Sequence, residues 1–361
     1  MRLVSSRSMA EPSGLVPLPH TKAQALAALG DDGESTLLEA FRWMLLARAL
    51  DARMLALQRQ GRIGFYGAAT GQEAVNIAAG LVTAPQDWIL PGLREQLVAL
   101  VRGHALGTYV HHVFADARDP ALGRTMPCHP SAREVRYVSM SSVVGTQISH
   151  AVGVAYGIRR RKEPAVALTF FGDGATSSND FHAGMNFAAV YGLPVLFACT
   201  NNRWAISVPV ERQTASATLA AKARAYGIDG RQVDGTDFVA CWSAFVDALG
   251  RIRDGGPPEM IEFLLYRMAA HSSSDDPSRY QPSGWADEAR AHDPVARLEA
   301  WLTVQGLLDV KVREALQAEA EGEVRDAVRE AEATPGPAPA TLTEDVFAPS
   351  RSRPSAPGVP R

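Results

Sequence analysis

Large apolar residues recur with helical spacing in several stretches of the chain and form short unbroken runs in others. Helical spacing predicts helices over residues 34–60, 73–81, 95–106, 145–160, 179–191, 221–226 and 238–252, and over a charged stretch at 294–332. Unbroken apolar runs predict strands at 88–90, 137–140, 166–171, 195–199 and 259–267. Strands without polar alternation, separated by helices, indicate an α/β fold with a parallel sheet covered by helices on both faces.

The two ends of the chain differ in composition from its centre. Residues 1–33 are rich in Pro, Ser and Gly and predict an N-terminal arm or extended lead-in. Residues 334–361 form a Pro-rich tail that we expect to be ordered only against a partner. Between them, residues 34–333 predict one α/β domain with a helical C-terminal part.

Composition narrows the classes of function. The chain has 361 residues, 46% of them hydrophobic, and a formal net charge of −3, so its surface has no field that would attract nucleic acid. No apolar run approaches the length of a membrane span, and the first residues lack the apolar stretch of a signal peptide. Three cysteines without metal-binding spacing fit a reducing compartment. We therefore expect a cytoplasmic protein without nucleic-acid or membrane partners.

The most informative segment covers residues 170–207. Gly172, Asp173 and Gly174 end one predicted strand, and Asn202 ends the next, about thirty residues later. Ligands of open parallel sheets bind beyond the carboxyl ends of the strands, so these oxygen-bearing side chains are expected to be neighbours. Oxygen ligands suit Mg²⁺, and glycines let a diphosphate approach the backbone. The segment therefore predicts a metal–diphosphate site.

This arrangement resembles the thiamine diphosphate motif, in which GDG is followed after roughly thirty residues by NN. Further segments extend the resemblance to the α chain of 2-oxo acid dehydrogenase first components, over residues 34–280: FYGAATGQEA (65–74), TMPCHPS (125–131), SSVVGTQ (141–147), NNRWAIS (201–207) and YRMAAHSSSDDPSRY (266–280). The resemblance implies a thiamine diphosphate-binding fold and an enzyme that decarboxylates 2-oxo acids oxidatively.

The resemblance also assigns residues to the cofactor. Asp173, the side chain of Asn202 and the main-chain oxygen of Trp204 would ligate Mg²⁺. Arg94 would pair with the diphosphate. His271 would lie over the same diphosphate near the reacting carbon, as the candidate catalytic residue for proton or charge changes during acyl transfer.

One loop is assigned to the aminopyrimidine half of the cofactor. Ser142 and Val144 match residues that touch this ring through backbone groups. Ser141, Thr146 and Gln147 match a monovalent-cation site, for K⁺, that supports the loop in some members of the family.

The substrate is less sharply defined by the sequence. Phe65 and Tyr66, flanked by glycines, and His129 are candidates for an apolar substrate pocket. The segments around His129 and His271 resemble branched-chain members, which act on 2-oxoisovalerate, more than pyruvate members. Pyruvate and acetoin remain alternative substrates, and a non-catalytic binder of nucleotide phosphates is the alternative from a different class.

The resemblance implies that this chain is incomplete as a catalyst. The carboxylate that activates the aminopyrimidine is expected on a separate β chain, in an α₂β₂ heterotetramer, and a lipoyl-bearing acyltransferase would accept the acyl group. Glu73 is expected to be structural or to lie at a subunit contact. Thr200 departs from relatives that carry a basic or longer polar side chain there, which puts one phosphate contact in doubt.

Overall fold

The fold is centred on a parallel sheet, described here from a computed structural model that covers residues 15–344. Within this range the strands are β1 (Trp88–Leu90), β2 (Ala167–Gly172), β3 (Val195–Asn201), β4 (Trp204–Ala205), β5 (Val208–Pro209), β6 (Asp229–Asp234) and β7 (Glu259–Leu264). Five of the described strands form one sheet in the order β1-β2-β3-β7-β6, and every pairing in it is parallel. β4 and β5 form a small antiparallel ribbon.

Helices surround this sheet. The α-helices of the described chain are α1 (Lys22–Leu29), α2 (Gly33–Arg59), α3 (Glu73–Val82), α4 (Gln96–Val101), α5 (Leu106–Phe114), α6 (Thr146–Arg161), α7 (Asn179–Tyr191), α8 (Phe238–Arg253), α9 (Trp285–Ala291), α10 (Pro294–Val304) and α11 (Val310–Ala333). No helix among residues 15–344 is long and apolar enough to cross a membrane.

The central strands are buried on both faces. Leu168 and Phe170 of β2 enter a core formed with α2, α3, α8 and other helices. Ala167 and Phe171 of the same strand enter a second core, formed with α6 and α7. Because successive strand residues point to opposite faces, both faces need apolar residues, which explains the unbroken apolar runs. The predicted α/β fold with a doubly covered parallel sheet is confirmed.

Several predicted elements differ from those observed. β6, with the sequence DGRQVD, was not predicted because it is polar and lies at the sheet edge. Residues 137–140, predicted as a strand, contribute only isolated bridges at Tyr137. The helix predicted over 95–106 ends at Val101, and α5 follows it. The helical stretch at 294–332 is broken between α10 and α11, at Gly306 with φ of +70°.

The segment expected to be an extended lead-in contains α1. Thr21 caps this helix through the backbone N–H of Gln24, and the Gln24 side chain accepts from the Thr21 N–H in return. This reciprocal capping satisfies donors that an isolated helix end leaves free. The helix packs against α2 and α8. Residues 1–14 of the predicted arm and residues 345–361 of the predicted tail lie outside the described residues.

A buried ion-pair network holds the loop that precedes α3. Arg48 of α2 donates to Glu73 at 2.5 Å and makes two further hydrogen bonds to Asp293 at the start of α10. The second oxygen of Glu73 accepts from the N–H of Gly71 at 2.9 Å. Glu73 is fully buried, and these partners offset the cost of removing its carboxylate from water. It therefore has a structural role within this chain, which was one of the two expectations for it.

Replacing Glu73 tests how much this network contributes to the free energy of unfolding. We expect Glu73→Gln to lower the free energy of unfolding by about 2 to 3 kcal/mol, because Arg48 keeps only Asp293 as a charged partner. Glu34→Gln, which breaks the exposed pair between Glu34 and Lys22, should cost less than about 1 kcal/mol. Urea unfolding of both variants measures the difference, and equal losses would contradict this account.

Candidate functional site

The carboxyl ends of β2, β3 and β7 lie side by side. Gly172 is paired with Thr200, and Asn201 with Leu264, in parallel register. The chain runs from β3 to the edge strand β6 and then returns to β7, which lies between β3 and β6. Ligands of open α/β sheets bind beyond the carboxyl ends of the strands. We call the residues that follow these three strand ends, together with Arg94 after the neighbouring strand β1, the strand-end site.

Asp173 begins a short 3₁₀ turn, Asp173–Ser177, directly after β2. Its carboxylate is 2% exposed and accepts a hydrogen bond from the side-chain amide of Gln213. Burial raises the pKa of Asp173, although the Gln213 hydrogen bond acts in the opposite direction. A buried carboxylate with only neutral hydrogen-bond donors would gain from a cation beside it.

The two glycines around Asp173 have different surroundings. A Cβ at Gly172 would meet only the carbonyl oxygen of Thr200 at 4.0 Å, an ordinary contact. A Cβ at Gly174 would lie 2.8 Å from the Cβ of Ala205, in β4. Gly174 is therefore required by the close approach of the β4–β5 ribbon, and the backbone at Gly172 is open.

The next strand end carries a tight turn, Asn202–Arg203–Trp204. The side-chain oxygen of Asn202 accepts from the N–H of Trp204 at 3.2 Å. Arg203 has φ of +70°, a left-handed conformation that is costly for a residue with a Cβ. Its guanidinium lies 4.3 Å from the ring centroid of Tyr266 and 3.6 Å from Glu288. These side-chain contacts hold the turn and with it the two predicted oxygen ligands.

Arg267 and Gln213 also contact the strand-end site, although the sequence did not predict either as a site residue. Arg267 is 1% exposed and donates to the main-chain oxygen of Trp204 at 3.3 Å. It also donates to the hydroxyl of Tyr280 at 2.5 Å, while its Nε has no partner among the described residues. Arg267 is the last residue of the strand predicted at 259–267, and Gln213 lies in a polar loop forty positions after its partner Asp173, so local patterns give no signal for either.

Arg94 connects two loops at the strand-end site. It is 4% exposed, and its guanidinium donates to the main-chain oxygen of Ala68 and, at 2.5 Å, to that of His271. Burial and the charge of Arg267 lower the pKa of Arg94 to about 10, so it is still cationic at neutral pH. A guanidinium has five N–H donors, and two are used here, which leaves donors for an anion.

His271 lies in the same electrostatic environment. The backbone N–H of His271 donates to Asp275 at 2.8 Å, and Asp275 also accepts from the hydroxyl of Tyr280, the partner of Arg267. Burial, together with the charges of Arg94 and Arg267, lowers the pKa of His271 to about 4, against the opposing effect of Asp275. The imidazole is therefore neutral at pH 7 and could accept a proton if an anion offset the two arginines.

The predicted pocket residues occupy different depths. The ring of Phe65 is half-buried and 6.4 Å from that of His129. Tyr66 is fully buried, and its hydroxyl donates to Asp51 at 2.8 Å. Phe65 and His129 thus lie together, while Tyr66 supports the loop from beneath. A contact between Tyr66 and substrate stays a prediction.

The loop before α6 meets both the pocket and the sheet. The hydroxyl of Ser142 lies 2.5 Å from Nε2 of His129, and Val144 is exposed. Ser141 accepts from the N–H of Val143 at 3.2 Å, and Gln147 donates to the main-chain oxygen of Phe170 at 2.9 Å.

Thr146 is the first residue of α6, so the three residues predicted to hold K⁺ lie within one turn and the helix start that follows it. Their role stays a prediction.

Thr200 offers no charge to a phosphate. It is 3% exposed, and its hydroxyl is 3.4 Å from the main-chain oxygen of Phe171. It also lies near the buried carboxyl of Glu95, whose pKa burial raises to about 7. The second guanidinium at this edge of the sheet belongs to Arg267 instead.

The strand-end site contains a donor set that fits a hard cation. Among residues 15–344, no group of three or more His, Cys, Asp or Glu side chains is arranged to hold a metal ion. A cation here would instead use one carboxylate, one amide oxygen and one main-chain oxygen, from Asp173, Asn202 and Trp204. Mg²⁺ accepts such oxygen ligands and keeps further positions for water and phosphate. The residues present therefore fit Mg²⁺ with a diphosphate.

The lowered pKa of His271 makes a prediction about acid stability. The pKa of His271 in the folded state, about 4, lies below its ordinary value of 6.5. Its contribution to the free energy of unfolding is therefore fully present above pH 6.5 and is lost as the pH falls through 4. We expect His271→Gln to lose less stability than the unchanged chain over this window. Urea midpoints against pH measure this, with His150→Gln, at an exposed histidine, as the control. Parallel curves for all three proteins would contradict the prediction.

The sequence of this chain matches one family of known proteins. The dehydrogenase E1 component family matches residues 41–340. A 2-oxoisovalerate dehydrogenase subunit alpha from Bacillus subtilis is 39% identical over 313 residues, which are 86% of this chain and 95% of the relative. A 3-methyl-2-oxobutanoate dehydrogenase subunit alpha from Mycobacterium tuberculosis is 40% identical over 305 residues, 82% of this chain and 80% of the relative. A pyruvate dehydrogenase E1 component subunit alpha from Bacillus subtilis is 38% identical over 310 residues, 86% and 81% of the two chains.

These matches confirm the resemblance inferred from the sequence motifs. The matched region contains all three strand ends and every residue assigned to the cofactor. Enzymes of this family depend on thiamine diphosphate, and their α subunits work with a β chain. The chain belongs to the dehydrogenase E1 component family.

Proposed function

We propose that this chain is the α subunit of a branched-chain 2-oxo acid dehydrogenase. It would act on 3-methyl-2-oxobutanoate (2-oxoisovalerate) and transfer the acyl group to a lipoyl arm. The observation that carries the proposal is the strand-end site: a buried carboxylate, the oxygens of Asn202 and Trp204 and two buried guanidiniums lie at the carboxyl ends of adjacent strands. The names of the relatives at 39% and 40% identity support the branched-chain substrate.

The diphosphate half of the cofactor would be held by this chain. Asp173, the side chain of Asn202 and the main-chain oxygen of Trp204 would ligate Mg²⁺. Arg94 would donate to phosphate oxygens from the N–H groups that its two main-chain partners leave free. Open backbone at Gly172 leaves room for the anion. Backbone groups of Ser142 and Val144 would contact the aminopyrimidine.

The chemistry itself would be shared between the cofactor and the protein. Bound thiamine diphosphate supplies the electron sink for decarboxylation of the 2-oxo acid. His271 is neutral at pH 7 without an anion nearby. Bound diphosphate would offset Arg94 and Arg267 and raise the pKa of His271, which suits a residue that takes up and releases a proton. K⁺ held by Ser141, Thr146 and Gln147 would stabilise the loop over the ring.

A partner chain would complete the site. The carboxylate that activates the aminopyrimidine would come from a β chain in an α₂β₂ assembly, in the cytoplasm, and the acyl group would pass to a lipoyl-bearing acyltransferase. A patch of exposed apolar side chains on α6 and α7 supports a subunit interface: Tyr156, Phe187, Val190 and Tyr191. Patches of this kind on soluble proteins commonly mark contacts with other chains.

The cofactor assignment is tested by ligand-dependent stability of the α–β assembly. Thiamine diphosphate with Mg²⁺ at about a hundred times its Kd should stabilise the assembly by about 3 kcal/mol, seen as a higher Tm. ATP with Mg²⁺ should not, and Asp173→Ala should abolish the effect. Asp287→Ala, at an exposed carboxylate on α9, is the matched control. Stabilisation by ATP alone would favour a non-catalytic nucleotide-phosphate binder.

The substrate assignment is tested by the ratio of kcat/KM for 2-oxoisovalerate and pyruvate. An apolar pocket discriminates by about tenfold to two-hundredfold per methylene, so we expect at least about a tenfold preference for the branched acid. Phe65→Ala should reduce this ratio, whereas Leu342→Ala, at an exposed site outside the pocket, should not. A preference for pyruvate in the unchanged enzyme would make the pyruvate dehydrogenase assignment correct.

A further inference from the structure

Two buried histidine–aspartate pairs lie at the carboxyl end of α5. Nδ1 of His111 is 2.6 Å from the carboxylate of Asp116, and Nδ1 of its neighbour His112 is 3.1 Å from that of Asp119. All four residues are buried, and each aspartate also accepts backbone N–H groups. The pairs differ in their second contact, because only His112 touches the loop that carries His129.

The protonation state of His112 follows from its two partners. The carboxylate of Asp119 accepts, so the proton of the ring lies on Nδ1. Nε2 accepts the backbone N–H of His129 at 3.1 Å, so it carries a lone pair and the ring is neutral. Burial acts to raise the pKa of Asp119, but hydrogen bonds from His112, Ala121 and Gly123 lower it overall, so the aspartate stays charged.

His129 is thereby fixed at its backbone and at both ring nitrogens. Nδ1 lies 3.0 Å from the main-chain oxygen of Pro127, which can only accept, so this nitrogen holds the ring proton. Nε2 then accepts from the hydroxyl of Ser142 at 2.5 Å when the ring is neutral. The backbone contact comes from His112. Together these contacts fix the orientation of the His129 ring beside Phe65.

We propose that His112 and Asp119 are positioning residues for the 2-oxo acid, acting through His129. This rests on the proposed function, in which His129 lines the substrate pocket. The carboxylate of Asp119 accepts from the ring of His112 and from the N–H groups of Ala121 and Gly123, and an asparagine amide, with one acceptor oxygen and one NH2 donor, cannot serve all three. Where the NH2 group faces Nδ1 of His112, the ring proton lies on Nε2 and the buried N–H of His129 is left unpaired, which is costly. The loop would shift, and Nε2 of His129 would move away from Ser142, whereas Asp173 and Arg94 would be unaffected.

The test compares the two aspartates in the assembled α–β enzyme. For Asp119→Asn, KM for 2-oxoisovalerate should rise about tenfold, as expected for one unpaired buried group, with kcat within about threefold. The inhibition constant of 3-methylbutanoate, which lacks the oxo group, should rise in parallel. Stabilisation by thiamine diphosphate with Mg²⁺ should be unchanged. Asp116→Asn removes the same chemistry from the neighbouring pair and should leave KM unchanged.

Two results would overturn this inference: equal changes in KM for both variants, or a loss of kcat with KM unchanged. If Asp119→Asn does not assemble, His112→Gln and His111→Gln form the equivalent pair, with the same expected difference in KM. Failure of the proposed function has a different signature. The unchanged enzyme would then turn over no 2-oxo acid and show no stabilisation by thiamine diphosphate with Mg²⁺.

Discussion

Parallel pairing of β2, β3 and β7 is the constraint on which the rest of this molecule depends. It brings the ends of three strands that are distant in sequence to one edge of the sheet, in register. Asp173 and the turn at Asn202 are neighbours only because their strands are. The same pairing requires apolar side chains on both sheet faces, and two separate cores supply them. The backbone at the site is therefore held by the hydrogen bonds of the sheet.

The strand-end site concentrates positive charge in a buried place. Arg94 and Arg267 are almost fully buried, and neither makes a hydrogen bond to a carboxylate among the described residues. Main-chain oxygens and a tyrosine hydroxyl satisfy part of their donors, while the two charges act on His271. Buried cations in this arrangement are costly unless an anion joins them. The repulsion and desolvation of the two buried guanidiniums are thus unfavourable, and a bound diphosphate would reduce both.

The periodicity of apolar residues and the positions of the strand ends predicted the sheet and the location of the site. The doubly covered sheet followed from unbroken apolar runs, and the proximity of Asp173 to the Asn202 turn followed from their positions after adjacent strands. Polar β6 was missed because an edge strand does not need an apolar run. Gln213 and Arg267 were missed because their contacts are tertiary and join residues far apart in sequence. The His112–Asp119 pair is local, but it forms where the chain turns after α5, a geometry that no spacing rule describes.

The turn at Arg203 has a consequence for motion. A left-handed arginine costs about 1 to 2 kcal/mol, and glycine would remove that cost. Glycine would also remove the contacts with Tyr266 and Glu288, which tie the turn to β7's continuation and to α9. The backbone would then be relaxed but free to fluctuate independently of its surroundings. At this position the protein therefore keeps a strained backbone together with side-chain contacts that couple the turn carrying Asn202 and Trp204 to the neighbouring helix α9.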